Sequence, residues 1–225
     1  MEIKAVLFDL DGVIADTAKF HFIAWKEIAK EIGVDIDEEF NEQLKGVDRV
    51  LSFDRILAYG NITSLKEDEK EYYRTKKNNL YKELLQGLTP QDILPGILDF
   101  FNELIDNNIK ISIASISQNA PYILEKLDLL DKIDGIADPR SVNNSKPAPD
   151  IFLKAAEIVG VDVKNCVAIE DAEAGIEAIN KAGVFSVGVG NLVDADLLID
   201  STSGLNLNII KENFKKKQNI MKMHV

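Results

Sequence analysis

The sequence predicts an α/β fold: a doubly wound parallel-sheet, Rossmann-like core with an inserted all-helical cap domain. Three observations carry this. Short runs rich in valine and isoleucine recur along the chain without the polar alternation of a half-exposed strand, as strands covered on both faces do. Helical patterns separate most of these runs, which calls for crossover connections and therefore parallel pairing. Residues 17–88 break the rhythm, with helical periodicity and no convincing strand. The expected division is a core of residues 1–16 plus 89–225 and a cap of residues 17–88.

In order along the chain, the first strand is expected at 3–8. The cap helices follow at 18–32, 40–44, 50–58 and 68–85, separated by Gly46 and by Gly60-Asn61. The return to the core falls around 88–95. Strands are then expected at 109–114, 133–137, 166–169, 186–189 and, more weakly, 197–199, with helices at 97–107, 121–127, 150–159 and 172–182. Asp150 stands where it would cap its helix after the stiff Lys146-Pro147-Ala148-Pro149, and Gly160 and Gly183 follow helix ends. The basic tail 211–225 reads as a solvated helix or a frayed end that takes in His224.

Composition excludes several classes. The chain has 225 residues, 46% hydrophobic and 28% charged, in the range of ordinary globular proteins. No apolar run approaches the ~20 residues of a membrane span. The start, MEIKAVLFDLDG, lacks the basic and long apolar regions of a secretory leader. One cysteine, Cys166, rules out an internal disulfide and is expected to pack in its strand, so a reducing, cytoplasmic location is expected. A net charge of -12 argues against nucleic-acid or membrane partners. A monomer acting on a small molecule is expected, and an anionic substrate must be met by local cations.

In an open parallel sheet, ligands bind beyond the carboxyl ends of the strands. After the first expected strand come Asp9 and Asp11; after the second, Ser115; after the third, a loop reaching Lys146; after the fourth, Glu170 and Asp171. Asp9 and Asp11 stand two apart and would share one side of an extended strand. Carboxylates pressed together need a proton or a cation, and hard oxygen ligands suit Mg²⁺. A carboxylate can also attack phosphorus, a hydroxyl can hold a phosphate oxygen, and a lysine can neutralise charge that builds in transfer. Gly12 would let the chain turn away without crowding a substrate. Asp16, beside Thr17, would cap the first cap helix or fix the hinge.

DxDGVxxDT, the serine after the second strand, Lys-Pro-x-Pro-Asp and the Glu-Asp pair together resemble the haloacid dehalogenase-like phosphotransferases over essentially the whole chain. The resemblance implies Asp9 as nucleophile and Asp11 as general acid/base. It implies Mg²⁺ held by Asp9, Asp171 and the Asp11 carbonyl, with Glu170 beside or on the metal. Ser115 and Lys146 would hold the transferring phosphoryl group.

The stretches HFIAWKEIA, FNEQLKGVDRVLS and KPAPDIF resemble the sugar-phosphate mutases of that family. They imply a phosphorylated-sugar substrate and interconversion of β-glucose 1-phosphate and glucose 6-phosphate through an aspartyl-phosphate and a 1,6-bisphosphate. They also imply roles for His21 and Trp25 near the hinge, for Leu44, Gly46, Val47, Arg49 and Ser52 in the cap, and for Lys77 and Asn78 as a further cap pair. Ser117 and Asn119 would meet the non-transferring phosphate, with Arg49 as its main clamp. Gln118 stands where the mutase pattern has a lysine, and Ile116 is bulkier than usual there, so weaker sugar-phosphate binding is expected. The competing readings are a sugar-phosphate or phosphoglycolate-type phosphatase of the same superfamily and a non-catalytic, phosphate-responsive protein.

Overall fold

The structure, a computed structural model, describes residues 2–223. The chain runs β1 (Ala5–Phe8), α1 (Ala18–Glu31), α2 (Glu38–Glu42), α3 (Arg49–Tyr59), α4 (Glu67–Leu85), α5 (Ile97–Asp106), β2 (Lys110–Ile113), α6 (Ala120–Lys126), β3 (Gly135–Ile136), α7 (Asp150–Ile158), β4 (Cys166–Glu170), α8 (Glu173–Ala182), β5 (Phe185–Val189), β6 (Leu197–Ile199) and α9 (Leu207–Met223). All six strands pair in parallel in the order β3-β2-β1-β4-β5-β6. The order reverses between β1 and β4, and that switch point opens a crevice at their carboxyl ends. No helix among the described residues is long and apolar enough to cross a membrane.

The unbroken apolar character of β1 follows from its two packed faces. Val6 and Phe8 join one cluster with Ile97, Phe101, Leu104 and Ile123, while Ala5 and Leu7 join another with Ile151, Phe152, Ala155 and Ile179. Phe8 lies edge-on to Phe100 and Phe101, with ring centroids 6.1 and 4.9 Å away. A buried phenylalanine of this kind stabilises by about 1.5–3 kcal/mol. A third cluster, built on Trp25, Ile28, Phe40, Phe53 and Ile56, joins α1, α2 and α3 without using the sheet. Tyr81 and Leu85 of α4 belong instead to the cluster of Phe8, which ties the last cap helix to the core.

Several elements differ from the sequence reading for local reasons. α2 starts earlier than expected because Asp37 Oδ1 accepts the Phe40 N–H at 2.8 Å. Asp150 is not the cap of α7: Pro149 occupies that position, and the Asp150 carboxylate accepts the backbone N–H and the Nδ2 of Asn144, each at 3.2 Å. It therefore pins the loop that carries Lys146. Asp16 does not cap α1 either; it pairs with Lys19 at 2.8 Å on the surface, although its backbone N–H reaches the Asp92 carbonyl. The tail is more than a solvated end. Leu207, Ile210 and Phe214 of α9 are buried, and Phe214 meets Phe185 at 5.6 Å. His224 lies outside the described residues. Cys166 is buried, and burial first and Asp162 second push its thiol up to about 12.

Candidate active site

β1 and β4 run side by side with Phe8 paired to Ile169, so Asp9 and Glu170 leave the sheet at one level. Asp9 is 6% exposed and its N–H donates to the Ile169 carbonyl at 3.0 Å. Lys146 enters from the loop after β3, fully buried. Its ammonium donates to Asp9 Oδ1 at 2.5 Å and to Glu170 Oε2 at 2.8 Å. The other Glu170 oxygen accepts the backbone N–H groups of Asp171 and Ala172, each at 3.1 Å. Asp171 makes no side-chain hydrogen bond among the described residues.

Burial raises the Asp9 carboxyl above its ordinary value, against the pull of Lys146. Burial and then the charge of Asp9 raise Glu170 to about 7, and burial with the charges of Glu170 and Asp9 raises Asp171 well above the carboxylate range. Burial disfavours the Lys146 ammonium, but Asp9 and Glu170 outweigh it and hold that pKa above the usual lysine value. Three carboxylates thus face one ammonium. Asp9, Glu170 and Asp171 bring one oxygen each within 4.8 Å of one another, a donor set that fits a hard divalent cation. Asp171 has free oxygens for it, whereas both Glu170 oxygens are already engaged.

Two glycines make room for these acids. At Gly12, with φ of +92°, a Cβ would lie 2.2 Å from Asp171 Oδ2. A side chain at Gly12 would therefore crowd Asp171, an acid of this group. At Gly175 a Cβ would lie 2.0 Å from Glu170 Oε2, in a fully packed region. Gly175→Ala is expected to displace Glu170 from Lys146 and to cost about 1–3 kcal/mol, as overpacking does. Chemical denaturation checks this; a variant as stable as the parent would show that Glu170 has room to move.

The carboxylate of Asp11 is not part of the group of three. β1 ends at Phe8, so strand alternation does not extend through Asp9 to Asp11. Asp11 Oδ1 instead accepts the Thr17 hydroxyl at 2.6 Å and the Tyr81 hydroxyl at 3.1 Å, and His21 Nε2 lies 3.7 Å away. Burial raises its pKa, which the two hydroxyls oppose. His21 Nδ1 lies 2.7 Å from Lys77 Nζ. Burial and that neighbour hold His21 well below its ordinary value, so its ring is neutral. Lys77 is only 3% exposed; burial pushes it down to about 7, Asp11 pulls the other way and Arg49 adds to the lowering. Its ammonium stands 4.9 Å over Trp25 and 4.7 Å over Tyr81. Trp25 is packed in the cap cluster, stacked on Phe53 at 6.0 Å.

The loop between α2 and α3 rests on the turn after β4. Leu44 and Val47 are buried, and a Cβ at Gly46 would lie 3.2 Å from the Ala172 Cβ. Ser52 is turned into its own helix, its hydroxyl donating to the Asp48 carbonyl at 2.8 Å. Arg49 is half-buried and makes no hydrogen bond or ion pair among the described residues. Its two acidic neighbours are occupied: Asp48 caps α3, and Asp54 pairs with Lys70 at 3.3 Å. On the core side, buried Ser115 Oγ accepts the Ser117 N–H at 3.1 Å, and Ser117 Oγ accepts the Asn119 N–H at 3.3 Å. Asn119 Nδ2 donates to Asn78 Oδ1 at 3.3 Å, a direct link from core to α4. Ile116 is half-buried and Gln118 exposed.

Three residues of this region escaped the sequence reading. Thr17 sat in the quoted motif but drew no role, although a hydroxyl beside a run of acids is a signal. Lys45 lay within FNEQLKGVDRVLS; it pairs with Glu42 at 2.9 Å, and its charge counters the raised pKa of Asp171. Together with Gln43, Arg55, Tyr59, Pro147 and Asn191 it lines a cleft of about 900 Å³ that opens beside Asp171. Tyr81 carried no local signal, because only the fold brings α4 onto Asp11.

Known proteins share this arrangement of sequence and fold. Residues 3–183 match the family model of the haloacid dehalogenase-like hydrolases. The chain is 47% identical to a beta-phosphoglucomutase of Bacillus subtilis over 217 residues, 95% of this chain and 96% of that one. A crystal structure of beta-phosphoglucomutase from Clostridium difficile matches with a TM-score of 0.92 at 48% identity, covering 96% of this chain and 98% of that one. A phosphorylated carbohydrates phosphatase of Thermotoga maritima is 27% identical over 80% of this chain and 82% of its own length.

Proposed function

The chain belongs to the haloacid dehalogenase-like hydrolase family, and on that premise we propose that it catalyses the beta-phosphoglucomutase reaction. It interconverts β-glucose 1-phosphate and glucose 6-phosphate through an aspartyl-phosphate on Asp9 and a 1,6-bisphosphate. One observation carries this reading: the 47% identity to such an enzyme spans 95% of the chain, cap as well as core. The core residues fit a phosphatase equally well, and only the cap separates transfer to a sugar from transfer to water. We read residues 17–88 as that cap, and the protein as a cytoplasmic monomer.

In this reading Asp9 attacks the phosphorus of the bound sugar phosphate. Asp11 gives a proton to the leaving oxygen and takes it back from the acceptor hydroxyl in the second half-reaction. Lys146 and Ser115 hold the transferring phosphoryl group, with support from the buried position of both. Arg49, half-buried and unpaired among the described residues, clamps the distal phosphate with Ser117 and Asn119, since a guanidinium matches phosphate in bidentate fashion. His21, Lys77 and Asn78 line the cap side of the sugar, Leu44, Gly46 and Val47 shape the loop that excludes water, and Ser52 braces the first turn of α3 behind it. Trp25 supports Lys77 from within the cap cluster. Asp9, Asp171 and the Asp11 carbonyl, with Glu170 alongside, would hold the cation, Mg²⁺, which would supply charge neutralisation at the phosphoryl oxygens.

Asp171→Asn tests the cation reading without an assay of turnover. The folded-state pKa of Asp171 is raised, so at neutral pH its ionised form is worse off folded than unfolded, and its stability contribution falls as pH rises. In chelator the variant is therefore expected to melt at or above the parent. Mg²⁺ should stabilise the parent by about 2.7 kcal/mol at a hundredfold excess over Kd, and the variant far less. Equal Mg²⁺ shifts in both proteins would remove Asp171 from the metal.

The second reading, a sugar-phosphate phosphatase, draws on Gln118, which lacks the cation a second phosphate would meet, and on the T. maritima relative. A coupled assay for glucose 6-phosphate from β-glucose 1-phosphate, primed with bisphosphate and run beside a phosphate-release assay, decides between them. The mutase reading expects isomerisation far faster than phosphate release. Phosphate release without isomerisation would sink it.

A further inference from the structure

We infer that Tyr81 is a positioning residue for Asp11: its hydroxyl occupies Oδ1, so that Oδ2 is the oxygen that exchanges a proton with the substrate. The inference rests on the proposed function and deepens it. Two hydroxyls from separate helices of the cap segment converge on one carboxylate oxygen. Thr17 donates at 2.6 Å from the start of α1, and Tyr81 donates at 3.1 Å from α4. A carboxylate oxygen has two good acceptor sites, and on Oδ1 both are filled. A proton arriving from a sugar hydroxyl must then go to Oδ2.

The surroundings keep Tyr81 in this one task. Its side chain is fully buried, with the ring 4.0 Å from the His21 imidazole and 4.7 Å beneath the Lys77 ammonium. Burial and the neighbouring Asp11 charge push its phenol well above the ordinary value, so it remains a donor at neutral pH. A phenylalanine would fill the same space, but only a tyrosine lends Asp11 a hydrogen bond. Because α4 lies in the cap segment and Asp11 beside the core sheet, the Tyr81 bond spans the two.

The step at issue balances as follows. The acceptor hydroxyl oxygen of the sugar bonds to phosphorus, the bond from phosphorus to the Asp9 oxygen breaks, Asp9 departs as a carboxylate, and the hydroxyl proton passes to Asp11 Oδ2. Formation of the phosphoenzyme from acetyl phosphate needs no such proton, since acetate leaves as an anion. Tyr81→Phe separates the two. Rapid-quench measurements on parent and variant give the rate of Asp9 phosphorylation by acetyl phosphate and the rate of transfer from the phosphoenzyme to glucose 6-phosphate. The ratio of transfer to phosphorylation is expected to fall about 10–100-fold, part of what a general acid/base contributes, with KM for the sugar phosphate nearly constant. Both rates are read on the same folded fraction, so partial unfolding cancels. An unchanged ratio, with phosphoenzyme formed in both proteins, overturns this inference alone. Absence of phosphoenzyme in the parent overturns the reading of Asp9 and this inference with it.

Discussion

Replacing Asp9 by asparagine is expected to lower turnover by about 10⁴-fold or more while the protein stays folded, as removal of a covalent nucleophile does elsewhere. The amide keeps the size and shape of the carboxylate but cannot attack phosphorus. The fold should tolerate it, because the change removes one of three crowded acids and leaves Lys146 its bond to Glu170 at 2.8 Å. Burial already raises the Asp9 carboxyl, so neutralising it relieves part of the strain on the cluster. Intact-mass measurement after incubation with a phosphoryl donor should show a phosphorylated parent and an unmodified variant. Turnover within about tenfold of the parent would show that another group carries the phosphoryl transfer.

Lys146→Met is expected to damage both stability and turnover. Its ammonium is fully buried between Asp9 and Glu170, and methionine fills similar volume without charge. Removing one partner of a buried ion pair leaves uncompensated charge and typically costs about 3–5 kcal/mol. The pH dependence follows from the carboxylates. Asp9 and Glu170 already have raised folded-state values, the latter about 7, and without Lys146 they rise further. Groups with raised folded-state pKa contribute stability at low pH and lose it as pH rises. The deficit of the variant should therefore be large at pH near 8 and shrink toward mild acid, as the raised carboxyls take up protons. Urea denaturation across that range checks this, and a deficit independent of pH would mean that lost packing, not charge, is the cause. Turnover should fall about 10²–10³-fold, since a preorganised cation on the transferring group is lost.

Much of the fold was legible because its signals are local. Strands buried on both faces must be apolar throughout, and β1, β4 and β5 read that way. The cap helices carried their own period and their own cluster around Trp25 and Phe53. What the sequence misjudged were details in which side chains compete for partners. Asp150 and Asp16 are of the right type to cap helices, yet one is taken by Asn144 and the other by Lys19. The two-residue spacing places Asp9 and Asp11 on one side of an extended strand, but the strand ends before them and Asp11 is drawn toward Thr17 and Tyr81.

The sequence by itself determined the layered α/β architecture, the inserted helical segment and the set of acids, lysine and serine at the strand ends. Tertiary structure alone decided how those groups divide their work: Lys146 bridging Asp9 and Glu170, Asp171 left free beside them, and Tyr81 reaching Asp11 from 70 residues away. Periodicity and composition are properties of neighbours in the chain, which a sequence displays directly. The ionisation and partners of a buried group depend on what the fold packs against it: residues 9, 146 and 170 meet only through strand register and the Lys146 loop, and residues 11 and 81 only through the docking of α4.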